Sequence, residues 1–299
     1  NVGTASYRAM GNSRIPLFAS LSMMAVNLGL KYIFIFVMKM GVAGAGLSTA
    51  LGMGLVGIAL LLLLRNPKNR VPINRLFYFR YDWSLIGRIF RVSVPNAIEN
   101  GMFQFGLIVL QGLVSTLGTT SIAANGIASN LNPLLGCVSI GFSMSLMVIV
   151  GQCMGAGKPD EAALYIKNVL KLIYLSLAVF SIIFALLTGG LVSLFGLSPE
   201  TEQLAIHIVH WYNLTCLLLY PSSFGVAYGL RGAGDTRFAM VVSVSSMFLL
   251  RIGMAYVFVN VFHTGVMGIW YAQTLDWLAR SILFWARYFR GKWKKIKVI

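Results

Sequence analysis

Charged side chains interrupt long apolar stretches of this sequence, and these residues are the ones best suited to do chemistry. Glu99 stands in a stretch that begins at Pro95, whereas Arg251, Asp276 and Arg280 stand in two later stretches. A charged side chain at the centre of a membrane span costs about 2.5 to 3.5 kcal/mol, so it normally faces a cavity or a partner. If the stretches cross a membrane, these residues predict internal sites for ions or polar substrates.

The last two stretches place three charged residues at a similar depth. Arg251 and Asp276 lie almost equally far from a turn near His263 and Thr264, which is about 18 Å at 1.5 Å per helical residue. Arg280 lies one turn from Asp276 on the same face. We expect the three side chains to form a cluster with one net positive charge. The cluster is either a structural ion pair between two helices or a site for a proton or substrate, although a carboxylate between two arginines stays ionised near neutral pH.

Two stripes of polar side chains follow. At 100° per residue, amides of the stretch around Glu99 fall within about 80° of one another, and the next stretch has a similar polar face. Such stripes line either a water-filled cavity or a helix interface. Glu99 itself is expected either to bind a cation or proton or to meet loop arginines at an interface. The first stripe contains Asn96, Asn100, Gln104 and Gln111, and the second contains Asn125, Ser129, Asn132, Gly136, Ser139 and Ser143.

The composition identifies the class of protein that must position these residues. Of the 299 residues, 58% are hydrophobic and 11% are charged, whereas soluble domains carry about 25% charged residues. Mean hydropathy is +0.78, and the apolar residues form blocks near the roughly 20 residues that span a bilayer. We predict an all-α polytopic membrane protein with eight transmembrane helices, at about 15–38, 42–64, 95–117, 122–150, 166–187, 204–228, 238–261 and 266–288.

The charge pattern predicts orientation and domain organisation. The net charge of +16 lies mainly in short loops, which argues against nucleic-acid binding, and the basic residues concentrate in alternate loops, which lie on one side of the spans. The positive-inside rule therefore places both ends of the chain in the cytoplasm.

Residues 82–94 are expected to form a separate amphipathic interfacial helix, capped by Asp82 or Ser84, with Trp83, Ile86, Ile89 and Phe90 toward lipid. The expected divisions are two helices of a first lobe in 1–64, a basic loop in 65–94, a six-helix lobe in 95–289 and a basic tail in 290–299.

Two motifs recur in the same order along the chain. Arg8, Gly11 and Arg14 return 223 positions later as Arg231, Gly234 and Arg237, with Asp235 in the place of Asn12. After one inserted residue, the sequence GVAG at 41–44 returns as GVMG at 265–268. Six spans separate the copies, so the two halves have the same orientation, as in parallel transporter repeats. We expect a parent with twelve spans, of which this chain holds the last two of the first half and all six of the second.

Four stretches make the sequence resemble the multidrug and toxic compound extrusion (MATE) family: 95–100, 118–125, 151–162 and 231–237. The resemblance implies twelve helices in two six-helix lobes, alternating access, and export of amphipathic, often cationic compounds against entry of Na⁺ or H⁺. It implies a small-molecule substrate, a lipid bilayer as environment, no cofactor beyond the coupling ion, and a monomer in the plasma membrane of a bacterium. Asn12 departs from the family pattern, in which an acidic residue is usual.

Taken together, these observations give a set of candidate binding residues. We expect Glu99, Asn100, Gln104 and Gln111 to line a cavity opposite Asn125 and Asn132, and Asp276 with Arg251 to form a network in the outer half. No catalytic or metal-binding residue is expected. The alternative function is a related flippase for a lipid-linked saccharide, which the cationic Arg251, Arg280 and Lys31 would suit. A purely structural membrane protein would instead pack the polar stripes together without an open cavity.

Overall fold

The computed structural model describes residues 2–64 and 82–296, and every regular element in these ranges is helical. This confirms the predicted all-α fold. Three helices contain or continue into π-helical turns, at Tyr32–Val37, Pro221–Gly225 and Met247–Gly253, and a 3₁₀ turn covers Lys292–Lys295. The α-helices are α1 (Val2–Ala9), α2 (Arg14–Lys31), α3 (Gly41–Leu64), α4 (Trp83–Ser115), α5 (Thr119–Gly155), α6 (Pro159–Ser193), α7 (Pro199–Tyr220), α8 (Val226–Gly232), α9 (Thr236–Ser246), α10 (Met254–Asn260) and α11 (Met267–Phe289).

The predicted spans correspond to helices of the expected length. Among the described residues, six helices are long and apolar enough to cross a membrane. The two other predicted spans, 204–228 and 266–288, are also helical, in α7–α8 and α11. Most of the predicted basic loop, at 65–81, and the final residues of the basic tail, at 297–299, lie outside the described residues.

The chain divides into two compact units, 1–81 and 82–299. In the described part of the first unit, α2 and α3 pack against each other and α1 packs on both. Tyr7 of α1 and Leu60 and Leu64 of α3 are buried together there. The packing is close, because a Cβ placed on Gly52 of α3 would lie 3.6 Å from the Asn27 Cβ of α2.

The second unit is a bundle organised around α5 and α11. Helix α5 packs against α6, α7 and α8, whereas α11 packs against α7, α9, α10 and the two π-helical turns of this unit. Two glycines, Gly225 at the end of the π-helical turn and Gly229 of α8, allow close approach: a Cβ on Gly225 or Gly229 would press against Leu170 or Ile166 of α6. Small residues four positions apart permit such close helix contact. The bundle is therefore held by close backbone packing of α8 between its neighbours.

Helix α4 differs from the prediction. We expected a separate helix over 82–94, but Trp83–Ser115 is one continuous helix with Pro95 inside it. The predicted cap is present, because the Ser84 amide donates to Asp82 Oδ1 at 3.0 Å. A proline removes one helical hydrogen bond and disfavours, but does not forbid, a continuous helix. Trp83, Ile89 and Phe90 are exposed, as an apolar lipid-facing side would require.

Two further prolines in helical segments have different effects. Pro133 lies inside the uninterrupted helix α5. Pro221 begins a π-helical turn that joins α7 to α8. Such turns are rare and occur often at functional sites. A third π-helical turn, at 247–253, carries Arg251. This cation therefore lies where the helix departs from regular α-helical geometry.

The backbone confirms the internal repeat. Gly11 and Gly234 both adopt positive φ, at 81° and 86°, and so do Lys39 and His263, at 53° and 50°. In each copy the amide of the residue just before the first glycine of the GVAG or GVMG motif donates to the carbonyl of a phenylalanine six positions earlier. Met40 donates to Phe34 at 2.9 Å, and Thr264 donates to Phe258 at 3.1 Å. Non-glycine residues with positive φ are uncommon. Their recurrence at matching positions shows that the two copies share local structure as well as sequence.

Candidate functional site

Glu99 is joined to the repeated arginine motif. It lies on α4 and is 9% exposed, and one of its carboxylate oxygens accepts a hydrogen bond from Arg231 at the end of α8. Arg231 also lies 5.3 Å from the ring centroid of Tyr228. The other carboxylate oxygen, Oε2, is buried and has no hydrogen-bond partner within the described ranges. The geometry thus matches the interface alternative for Glu99 and leaves one oxygen available.

The same motif makes a second ion pair through its acidic residue. Asp235 receives two hydrogen bonds from Arg287 of α11, at 2.7 and 3.2 Å. In the first copy, Asn12 instead caps α2 by accepting from the Arg14 amide at 3.1 Å. The two residues at this position of the motif therefore have different structural roles. The Asn12 side chain caps a helix, whereas the Asp235 carboxylate forms an ion pair.

The two polar stripes lie in different environments. On α4, Asn100, Gln104 and Gln111 are exposed, and Asn100 Nδ2 donates to the Asn96 carbonyl at 2.8 Å. On α5, the polar face is buried inside the bundle. Its buried members include Asn125, Asn132, Ser139 and Ser143.

The buried stripe of α5 is incompletely hydrogen-bonded. In the described part of the chain, neither side-chain atom of the Asn132 amide has a partner, and the same holds for the hydroxyls of Ser139 and Ser143. Buried polar groups are normally paired with protein or water, and an unpaired one costs about 1 to 3 kcal/mol. These side chains therefore have polar atoms available for hydrogen bonds with water or a polar ligand.

Asp276 and Arg280 form the predicted pair in α11. Arg280 Nε donates to Asp276 Oδ1 at 2.8 Å, and the two side chains are 3% and 0% exposed. Arg280 also donates to the Ser246 hydroxyl at 2.8 Å and to the Ser243 carbonyl at 3.1 Å. The guanidinium therefore ties α11 to α9 through two acceptors. The two serines had no feature in the sequence that marked them for this role.

Arg251 belongs to the cluster but has a different partner. Its Nη2 donates to Gln273 Oε1 at 2.6 Å, and it makes no ion pair with any described residue. Gln273 was missed by the sequence analysis, although it lies one turn before Asp276 on the same face of α11. The predicted cluster of three residues thus consists of the Asp276–Arg280 ion pair and the neighbouring Arg251, which is held by the Gln273 amide.

Aromatic rings surround the cluster. The guanidinium carbons of Arg251 and Arg280 lie 5.4 and 5.9 Å from the centroid of the Phe103 ring on α4. Arg280 also lies 5.8 Å from the ring of Phe224, which packs edge-on against Trp277 at 5.3 Å. Cations are attracted to the faces of aromatic rings. The rings stabilise the arginines and form an apolar wall beside them.

Comparisons with known proteins show what the chain is similar to. A family model described as MatE matches residues 95–257. The chain is 28% identical over 220 residues to a probable multidrug resistance protein NorM of Thermotoga maritima, covering 73% of this chain and 47% of the relative. It is 25% identical over 218 residues to human multidrug and toxin extrusion protein 1, covering 72% and 37%. The chain spans about half the length, or less, of the curated relatives it matches.

Solved structures share the fold. The outward-facing conformation of a multidrug resistance MATE family transporter of the MOP superfamily superposes with a TM-score of 0.86 at 22% identity, covering 99% of this chain and 66% of that one. At this identity the likeness establishes the fold alone. These names do not favour the flippase alternative over multidrug efflux.

Proposed function

Because the chain belongs to the MATE family of multi-pass membrane transporters, we propose that it exports amphipathic organic compounds in exchange for entering Na⁺ or H⁺. The family match covers more than half of the chain. In this proposal the protein acts as a monomer in a bacterial plasma membrane, with both ends of this chain in the cytoplasm. It needs no cofactor besides the coupling ion, and it binds neither nucleic acid nor a catalytic metal.

The observation that carries the coupling proposal is the free oxygen of Glu99. Arg231 binds one carboxylate oxygen, while Oε2 is buried without a partner among the described residues. A buried carboxylate oxygen in this position can bind a proton or a small cation. Binding there competes with Arg231 for the same charge, so the ion and the arginine favour different states of the α4–α8 contact. This competition is the physical basis we propose for coupling.

Polar residues of α4 and α5 support a path for the transported compound. Asn100, Gln104 and Gln111 expose amides along α4, which is costly against lipid and favourable against water or substrate. On α5, Asn125 and the unpartnered Asn132 provide a second polar surface inside the bundle. We propose that Asp276, paired with Arg280, and the neighbouring Arg251, held by Gln273, form the network of the outer half. We propose that these residues contact substrate or ion during the transport cycle.

Transport measurements with separate gradients test the proposal. Proteoliposomes carrying the protein are loaded with a fluorescent amphipathic dye, and Na⁺ and pH gradients are imposed one at a time. We expect one gradient to drive dye efflux and Glu99→Gln to abolish that efflux while membrane insertion remains normal. Glu161→Gln is the matched control, because Glu161 is exposed and forms an ion pair with Lys158 at the surface. Full coupled transport by Glu99→Gln would exclude the proposed role of Glu99.

A further inference from the structure

The chain folds back against the helix bundle just after α11. Gly291 has a positive φ of 66°, a conformation that glycine adopts readily and that commonly ends helices. The 3₁₀ turn Lys292–Lys295 comes next. The described part of the predicted basic tail is therefore a defined turn with its own contacts.

Trp293 anchors this turn. Its side chain is fully buried, its ring stacks on Tyr288 with centroids 5.8 Å apart, and its indole N–H donates to the Tyr288 carbonyl at 3.1 Å. The Tyr288 hydroxyl in turn donates to the Ala163 carbonyl of α6 at 3.0 Å. Lys294 Nζ donates to Asp160 Oδ1, also on α6, at 2.8 Å. These contacts fix the turn against α6 and α11.

Internal carboxylates neutralise two basic residues in this region. Arg287 forms an ion pair with Asp235 at 2.7 Å, and Lys294 forms one with Asp160 at 2.8 Å. The two other lysines of the turn are exposed and form no ion pair with any residue that the structure describes. We call these two residues the lysine face: Lys292 and Lys295.

The geometry of the turn places the two members of the lysine face together. In a 3₁₀ helix, side chains three positions apart eclipse each other, so Lys292 and Lys295 lie on the same side of the turn. Their separation along the axis is about 6 Å, at roughly 2.0 Å per residue. Two like charges at this separation repel each other, whereas an anion placed between them attracts both. The lysine face therefore fits an anionic group such as a phosphate, which lysine commonly binds.

The outer side of α11 shows what surrounds this turn. Leu278, Ile282 and Phe289 lie within about 40° of one another at 100° per residue, and they are 43%, 61% and 72% exposed. On a membrane protein, such an exposed apolar stripe faces lipid. The stripe ends at Phe289, and the next residue is the exposed Arg290. This change from apolar to basic side chains marks the boundary between hydrocarbon and headgroups, and the headgroup layer is roughly 5 to 8 Å thick on each side. The turn that follows lies at the depth of the headgroups.

We propose that the lysine face binds the headgroup phosphate of an anionic phospholipid, with Phe289 in contact with the adjoining acyl chains. Charge complementarity selects this occupant. Phosphatidylglycerol brings a net negative charge to the two ammonium groups, whereas phosphatidylcholine also brings a quaternary ammonium that they repel. Basic residues beside a membrane span are attracted to anionic lipids in this way. The proposal depends on the chain's place in a membrane and not on ion coupling or a transported compound, so it stands apart from the proposed transport activity.

The test compares two lipids with the same acyl chains and different headgroup charge. Native mass spectrometry of the purified protein in neutral detergent measures the dissociation constant of the first bound phosphatidylglycerol or phosphatidylcholine. We expect phosphatidylglycerol to bind at least tenfold tighter. Each lysine near an anionic lipid strengthens binding roughly fivefold, so Lys292→Gln with Lys295→Gln should weaken phosphatidylglycerol binding at least fivefold and leave phosphatidylcholine binding unchanged. Lys292→Arg with Lys295→Arg should retain most of the binding.

The matched control removes the same charge from another exposed surface. Lys167 and Lys171 are exposed, lie one turn apart on α6 and form no ion pair with a described residue. Lys167→Gln with Lys171→Gln should therefore bind phosphatidylglycerol as the unaltered protein does. An equal loss in this control would show that any pair of exposed lysines suffices, and it would overturn the assignment to the lysine face.

Three further outcomes would also overturn the proposal. The first is equal binding of the two lipids by the unaltered protein. The second is unchanged phosphatidylglycerol binding when both members of the lysine face are glutamine. The third is displacement of phosphatidylglycerol by inorganic phosphate at equal concentration, which would identify a free anion and not a lipid as the ligand. If the glutamine variant does not fold, loss of binding in the folded arginine variant would equally contradict a role for charge.

Discussion

Arg231 of α8 and Glu99 of α4 form an ion pair between residues 132 positions apart in the chain. The two side chains are 14% and 11% exposed, so most of the pair is removed from water. The pair connects the start of one predicted span to the repeated arginine motif at the end of another. In the proposed function, it is the contact through which binding of an ion at Glu99 would change helix packing.

The stability contribution of this pair can be separated from its role in transport. We expect Arg231→Gln or Glu99→Gln alone to destabilise the protein by about 2 kcal/mol, because each leaves a largely buried charge without its partner. The double variant should lose less than the sum of the two single variants. Thermal unfolding in detergent measures the stability of all three variants. Additive losses would show that Glu99 and Arg231 do not interact.

The buried pair in α11 gives a second stability prediction. Asp276→Asn leaves Arg280 and Arg251 as two buried cations without a carboxylate, and we expect a loss of about 3 kcal/mol. Replacing both members, as Asp276→Leu with Arg280→Met, should be less harmful than the single change, since it leaves only one buried charge. The melting temperatures of the two variants provide the comparison. A double variant that unfolds at a lower temperature than Asp276→Asn would contradict this account.

A steric prediction concerns Gly232 at the end of α8. A Cβ at this position would lie 2.5 Å from the Met147 carbonyl oxygen of α5, and a backbone atom cannot move aside cheaply. Gly232→Ala should therefore lower the free energy of unfolding by about 1 to 3 kcal/mol, as overpacking typically does. Gly126→Ala is the control, because no heavy atom lies within 4 Å of a Cβ there. Equal melting temperatures for the two variants would show that α8 packs less closely on α5.

Orientation in the membrane is tested by labelling of single cysteines. Cys137, Cys153 and Cys216 are free and are first replaced by serine. Glu200→Cys, on the predicted outer side, should react with a membrane-impermeant maleimide in intact cells. Lys158→Cys, on the predicted cytoplasmic side, should react only after the cells are lysed. The reverse pattern would contradict the assignment made from the basic residues.

Much of the fold was predictable because it depends on features that are local in sequence. Blocks of about 20 apolar residues predict helices that can span a membrane whatever their neighbours are, and the helices at 42–64 and 122–150 have the expected positions. The repeat was readable because Gly11 and Gly234, like Gly41 and Gly265, occupy turns with positive φ that favour glycine. Helix α4 was predicted less well, since a local rule for Pro95 did not account for the packing that keeps the helix continuous.

The sequence by itself determined that Glu99, Asp276, Arg251 and Arg280 are placed where a charge needs a partner, because the cost of an isolated charge in an apolar span does not depend on the fold. Only the tertiary structure decided which partners they have. Arg231 reaches Glu99, and Gln273 takes the place beside Arg251 that we had expected Asp276 to share. Such pairings depend on how separate helices rotate and approach one another, and that geometry is set by packing across the whole bundle, including the close contact of Gly232 with α5.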